Sequence, residues 1–275
     1  MKKRISIILF GIITAVVLLN SCVGRDNSLK EETSDSNLPV LKIGSASFAP
    51  YFYMGEDGEY TGVDKEIAEE ACTRMGYQPE FVTFTWGEQD EMLKEKKIDC
   101  IWSCFSIQGR EEKYSWSEPY LKIRDMVVVP ADSEIESLQD LEGKKIAVRV
   151  GTKIQDYFLK DATEGTPKPE QISTFITMQD VFAAFGKGYT DAVAGPEAGL
   201  KNFTKNNENL YRYLPEPLFL AKIGVAFEKG QNEEVINLLN QELDEMKQDG
   251  TIAQIAKKYG LNKAEYREDG AGDEG

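Results

Sequence analysis

Ser106 and Arg110 follow an apolar run that ends at Ser103, and a guanidinium in such a loop can hold a carboxylate through two parallel hydrogen bonds. Arg149-Val150-Gly151-Thr152 joins a second apolar run to a helical pattern, where free backbone N–H groups and the helix dipole favour an anion. Phe48 and Trp86 stand at two further exits from apolar runs. Two ring faces can hold an ammonium or an apolar chain between them. Together these residues spell out recognition of a small zwitterion. Each has a plainer reading alone: a solvated arginine, a helix cap, two core aromatics. The inference rests on their combination and order.

Composition removes competing chemistry. The 275 residues include no histidine, which excludes Ser-His-Asp and Cys-His catalysis and His-ligated metals. No Cys-x-x-Cys spacing occurs either, so neither a metal nor another cofactor is expected. Lys and Arg number 32 against 47 Asp and Glu, a net charge of −15, opposite in sign to what a nucleic-acid backbone requires. Apolar residues at 41% and charged residues at 29% describe a soluble globular protein.

The elements that must position these residues alternate along the chain. Strands are predicted at residues 40–45, 80–84, 98–103, 126–130, 145–149, 191–194 and 223–227. Helices are predicted at 64–75, 87–96, 152–159, 178–185 and 233–248 from apolar residues at helical spacing. A Thr251-x-x-Gln254 capping box opens a last helix, and Gly260 ends it. Repeated β-α-β units predict an α/β fold of parallel sheets with helices on both faces. Ligand sites in such sheets lie beyond the carboxyl ends of the strands, where the loops after 45, 84, 103, 149 and 194 converge.

The N-terminus has its own logic. Met1-Lys2-Lys3-Arg4 is a basic head, 5–19 is apolar, and Leu19-Asn20-Ser21-Cys22 follows. That is an export signal, and its ending resembles a bacterial lipobox in which Cys22 is lipidated. A plain signal peptide or an uncleaved anchor is the alternative. Cleavage after residue 21 removes three positive charges and leaves −18. Residues 22–40 read as a lipidated cysteine and a polar tether, and 263–275 as an acidic, glycine-containing tail. Cys72, Cys100 and Cys104 remain: either a Cys72–Cys100 bridge forms, or all three are buried thiols.

A series of motifs resembles the family 3 solute-binding proteins that serve amino-acid ABC importers. They are Phe48-Ala-Pro-Tyr-Phe, Gly62-Val-Asp64, Lys97-Ile-Asp99, Arg110-Glu-Glu-Lys and Ser117-Glu-Pro-Tyr120. Gly143-Lys-Lys-Ile-Ala-Val, Gly151-Thr152, Tyr189-Thr-Asp191-Ala-Val, Ile223-Gly-Val-Ala-Phe-Glu-Lys-Gly230 and Asp249-Gly250-Thr251 complete them. The resemblance implies a two-lobed, type II periplasmic-binding-protein-like α/β fold. One lobe holds 41–120 and 225–262, the other 125–221, with two hinge strands near 120–124 and 222–224 and the ligand cleft between the lobes.

By the same resemblance, Arg110 pairs with a ligand α-carboxylate, helped by Ser106 and by the amides at Thr152 and Lys153. The Cys104 carbonyl accepts from the α-ammonium, Phe48 and Trp86 flank the side chain, and Arg149 touches its far end. Three departures stand out. Ser106-Ile-Gln-Gly-Arg110 is one residue shorter than the family pattern. Ser45 replaces an Asp that helps bind side-chain amines or amides. Pro196 replaces the second-lobe Asp that binds the ammonium, which assigns that task to the neighbouring Glu197. Ser45 and Arg149 together favour an acidic, amide-bearing or neutral polar amino acid over Lys or Arg. The implied protein is a monomeric lipoprotein on the outer face of a bacterial membrane, delivering an amino acid to ABC permease subunits without catalysing a reaction. Alternatives are the same fold binding an amino-acid derivative or dipeptide, and a dehydratase-like enzyme with Glu197 as general acid.

Overall fold

The computed structural model describes residues 38–160, 165–261 and 263; the expected export signal, Cys22, most of the expected tether and nearly all of the expected tail lie outside the described residues. Strand β1 (Val40–Ser45) opens the first lobe, and a small hairpin of β2 (Tyr53–Met54) and β3 (Tyr60–Thr61) follows. Helix α1 (Val63–Met75) buries Ile67, Ala68, Ala71, Cys72 and Met75, the face that its 3.6-residue spacing defines. Gly62 precedes it at φ 132°, and a Cβ there would lie 2.1 Å from the Tyr51 carbonyl oxygen, so only glycine fits. Gly76 closes the helix at φ 72°, with Tyr77 N–H reaching back to Cys72 O at 2.8 Å.

Strand β4 (Gln78–Thr83), helix α2 (Gln89–Lys94), β5 (Cys100–Ile101) and β6 (Tyr114–Trp116) complete the first pass through this lobe. The chain then crosses on β7 (Leu121–Pro130). In the second lobe β8 (Lys145–Arg149), α3 (Lys153–Leu159), β9 (Gln171–Phe175), α4 (Met178–Gly186) and β10 (Ala192–Pro196) alternate. Helix α5 (Glu197–Thr204), β11 (Tyr211–Tyr213) and β12 (Phe219–Ile223) lead back to the crossing. Strand β13 (Ala226–Glu228), α6 (Glu233–Gln248) and α7 (Thr251–Lys258) finish on the first lobe.

The first sheet runs β4-β1-β5-β13-β6 and the second β11-β7-β10-β8-β9, with β12 also on β7. The β1–β4, β1–β5, β8–β9 and β8–β10 pairs are parallel, as β-α-β units require. Both sheets are nevertheless mixed. Strand β13 runs antiparallel to β5 and β6, and β7 antiparallel to β10, β11 and β12. The antiparallel pairing gathers around the crossings: β7 and β12 carry the chain between lobes, and β13 follows directly on the return. β7 and β12 pair from Leu121↔Ile223 to Phe219↔Asp125, so both crossings form one two-stranded ribbon.

Two sequence expectations change, over 223–227 and at Thr251, and the alternative left open for Cys72 and Cys100 closes. The strand expected over 223–227 is interrupted at Gly224–Val225, because the chain leaves one sheet there and enters the other. Gly224 N–H bonds Phe105 O at 3.2 Å and Val225 N–H bonds Ser117 Oγ at 2.9 Å. The Thr251-x-x-Gln254 capping box does not form. Thr251 is the first helical residue after Gly250, at φ 83°, and its N–H is taken by Asp249 Oδ1 at 2.9 Å. Cys72 and Cys100 are free, fully buried thiols.

Candidate ligand-binding site

Two adjoining cavities of about 370 and 350 Å³ lie where the loops of the two lobes meet. They share Trp86, Cys104, Thr152, Ile154 and Pro196 in their linings. Phe48, Arg149 and Met178 line one, and Ser106, Arg110, Asp125 and Lys153 line the other. The crossing strands supply the back wall through Ile123, Asp125, Ala221 and Ile223.

Arg110 is held in a bent loop. Its Nη1 donates to Ser106 Oγ at 2.9 Å, and its face lies over Phe105, 5.0 Å from the ring centroid. Gly109, at φ 77°, makes the turn in the shortened Ser106-to-Arg110 loop. Nη2 crosses to the other lobe and donates to Gly151 O at 2.8 Å. Burial lowers the Arg110 pKa. A backbone carbonyl on the opposite lobe thus takes a bond that a carboxylate could take instead.

Arg149, at the end of β8, is only 7% exposed. Its guanidinium lies 4.1 Å from the Trp86 ring centroid and 5.8 Å from that of Phe48. Nε donates to Ile176 O at 3.3 Å. Burial pulls its pKa down to about 10. It has no carboxylate partner among the described residues. Trp86 Nε1 is likewise buried with no hydrogen-bond partner.

Cys104 sits at φ 47°, a left-handed conformation unusual for a residue with a Cβ, costing on the order of 1–3 kcal/mol. Asp64 in the first turn of α1 braces it: Oδ2 accepts Cys104 N–H at 2.5 Å, and Oδ1 accepts the Tyr120 hydroxyl at 2.7 Å. Asp64 is 1% exposed, and burial raises its pKa to about 6 against the lowering effect of those two bonds. Burial also pushes the Cys104 thiol pKa well up, which favours the neutral thiol over the thiolate.

Thr152 caps α3, its Oγ1 accepting from Gln155 N–H at 3.3 Å and donating to Arg149 O at 2.8 Å. The hydroxyl is therefore committed, and the cavity sees the start of the helix with Lys153. Two expected residues lie elsewhere. Ser45 is buried with its hydroxyl donating to Trp102 O at 2.6 Å, and it lines neither cavity. Glu197 is drawn into ion pairs with Arg124 (Nε–Oε2 2.8 Å, Nη2–Oε1 3.1 Å) and Lys201 (2.8 Å), and lines neither cavity. The carboxylate that does line the cleft is Asp125, paired in register with Pro196. Its only signal in the sequence is a charge at the start of an apolar strand.

Residues 41–262 match the bacterial extracellular solute-binding proteins, family 3. The L-cystine-binding protein TcyA of Bacillus subtilis is 26% identical over 94% of this chain and 97% of its own length. The histidine-binding periplasmic protein of Escherichia coli K12 is 29% identical over 80% of this chain and 86% of its own. A solved structure of an ancestral arginine-binding protein bound to arginine superposes with a TM-score of 0.72 at 28% identity, covering 80% of this chain and 98% of that one. The two sheet-bearing lobes are those of the type II periplasmic binding fold, and the relatives are named as binding proteins.

Proposed function

The chain belongs to family 3 of the bacterial extracellular solute-binding proteins, and from that membership we propose that it captures a polar amino acid between its lobes and delivers it to the permease of an ABC importer. The observation that carries the reading is Arg110, a half-buried guanidinium whose Nη2 already spans the cleft to Gly151 O. In the liganded state the α-carboxylate takes the place of that carbonyl, with Ser106 Oγ beside it. A charge-assisted, two-pronged bond outcompetes a single bond to a neutral carbonyl. The α-ammonium faces the Cys104 carbonyl and Asp125. Phe48 and Trp86 enclose the side chain. Relatives named for cystine and histidine support an amino acid as the class of ligand.

Export and lipidation at Cys22 place the protein on the outer face of the membrane. No helix among the described residues is long and apolar enough to cross one. Mass spectrometry of the mature N-terminus tests the lipid directly: a diacylglyceryl-modified Cys22 is expected.

The ligand reading is tested by thermal shift against the twenty common amino acids and cystine. A ligand at 100 times its Kd stabilises by about 2.7 kcal/mol, an easily read change in Tm. Arg110→Ala should abolish the shift. Retention of affinity within a few fold would remove Arg110 from the carboxylate site.

A further inference from the structure

We propose that Arg149 and the Trp86 indole N–H form a seat for a second carboxylate, so that the ligand is an amino acid carrying one on its side chain. The inference rests on the amino-acid reading above and sharpens its substrate class. Two independent observations at one cavity point to an acceptor supplied by the ligand. Arg149 is a buried guanidinium with no carboxylate among the described residues, and only its Nε is bonded, to a neutral carbonyl. Trp86 Nε1 is a second buried donor with no partner, on a residue 6% exposed. Both residues line the same cavity.

Native proteins rarely leave buried donors unmade, and a buried charge is ordinarily paired. Stacking on Trp86 at 4.1 Å covers a face of the guanidinium, which leaves its N–H edge for an acceptor in the ring plane. A neutral side chain would close over Arg149 without compensating its charge. A Lys or Arg side chain would set a second cation against it. An amide offers one acceptor oxygen and turns two donors toward two donors. A carboxylate offers two acceptor oxygens and the opposite charge. With one carboxylate on Arg110 and the other on Arg149, each cleft arginine is neutralised by the ligand.

The test is calorimetric titration of the purified protein with glutamate, aspartate and cystine against glutamine, asparagine, lysine and arginine. Cystine distinguishes a distant second carboxylate from a near one. A dicarboxylate is expected to bind at least tenfold more tightly than the amide and cationic amino acids. Arg149→Gln should lower dicarboxylate affinity at least tenfold more than it lowers glutamine affinity, and Trp86→Phe, which keeps an aromatic ring and deletes the N–H, should reduce the preference. Tighter binding of a neutral or cationic amino acid overturns this proposal and leaves the amino-acid reading standing. Binding of no amino acid overturns both. A preference unchanged in Trp86→Phe removes the indole from the seat.

Discussion

Residues 124 and 125 show how finely a site is decided. On strand β7 successive side chains point to opposite faces. Arg124 reaches Glu197 on one side, and Asp125 lines the cleft on the other. A carboxylate facing a ligand ammonium and one paired with a structural cation answer differently to neutralisation. Asp125→Asn should weaken amino-acid binding about tenfold or more, since a hydrogen bond to a charged group is worth about 1.5–3 kcal/mol. Glu197→Gln should leave affinity within a few fold and instead lower Tm, because it leaves Arg124 and Lys201 without their shared partner. Calorimetric titration and thermal melts of the two variants separate the roles, and the reverse pattern would return the ammonium to Glu197.

At the scale of elements, Asp64 joins three parts that the chain keeps far apart. It belongs to α1, holds the Cys104 loop by its N–H, and holds Tyr120, whose own N–H bonds Ile223 O at 2.9 Å where the chain crosses between lobes. Its pKa is raised from 3.8 to about 6. The folded state therefore binds this proton more tightly than the unfolded one. Its contribution to stability is full below the unfolded value near 3.8 and is lost as pH rises through about 6. Asp64→Asn does not titrate, so its stability relative to the parent should rise between pH 4 and pH 8, by an amount on the order of 2 kcal/mol. Denaturant melts of both proteins at the two pH values check the sign; a parallel pair of profiles would mean that Asp64 titrates normally.

A second device at this scale is the turn between the last two helices. Asp249 accepts Thr251 N–H and pairs with Arg74 Nη1 at 2.7 Å, while Thr251 Oγ1 accepts from Arg74 Nη2 at 3.0 Å. Hydrogen bonds from Thr251 and Arg74 hold the Asp249 pKa down at about 2. The Asp-Gly-Thr motif fastens α7 to α1, and is architecture rather than ligand chemistry.

For the whole molecule the described conformation is one with the lobes in contact. Arg110 bonds Gly151 across the cleft, and a Cβ at Gly199 of α5 would lie 2.5 Å from Phe48 Cζ on the other lobe. Glycine within a helix costs about 1 kcal/mol relative to alanine, a loss repaid here by the close approach it allows. Gly199→Val should prop the lobes apart without harming either. We expect ligand affinity to fall at least tenfold, unliganded Tm to stay within a few degrees, and the ligand-induced decrease in radius of gyration by small-angle scattering to disappear. Closure that is undiminished would show that Phe48 yields.

The periodicities of the chain determined most of its elements. The residues forming β1, β8 and α6 follow from apolar spacing, and the helix stop at Gly76 from the glycine itself, because these depend on neighbours no more than about four positions away. The motif order carried the family and the two-lobed fold. Phe48, Trp86, Cys104, Ser106, Arg110, Arg149, Thr152 and Lys153 were legible as a group, since loops at strand exits must converge in such a fold, and the structure brings all eight to the cavities. Which carboxylate joins them was not legible. Glu197 lies in the expected stretch, yet Arg124, 73 positions earlier, claims it, while Asp125 turns inward on a strand whose register is set by pairing with β10 and β12. The setting of Arg149 is of the same kind: a sequence shows that a cation is present, but only packing shows that no carboxylate among the described residues pairs with it and that its bonded partner is the Ile176 carbonyl. Charge partners are chosen by distance in space, and distance in space is what tertiary structure alone decides.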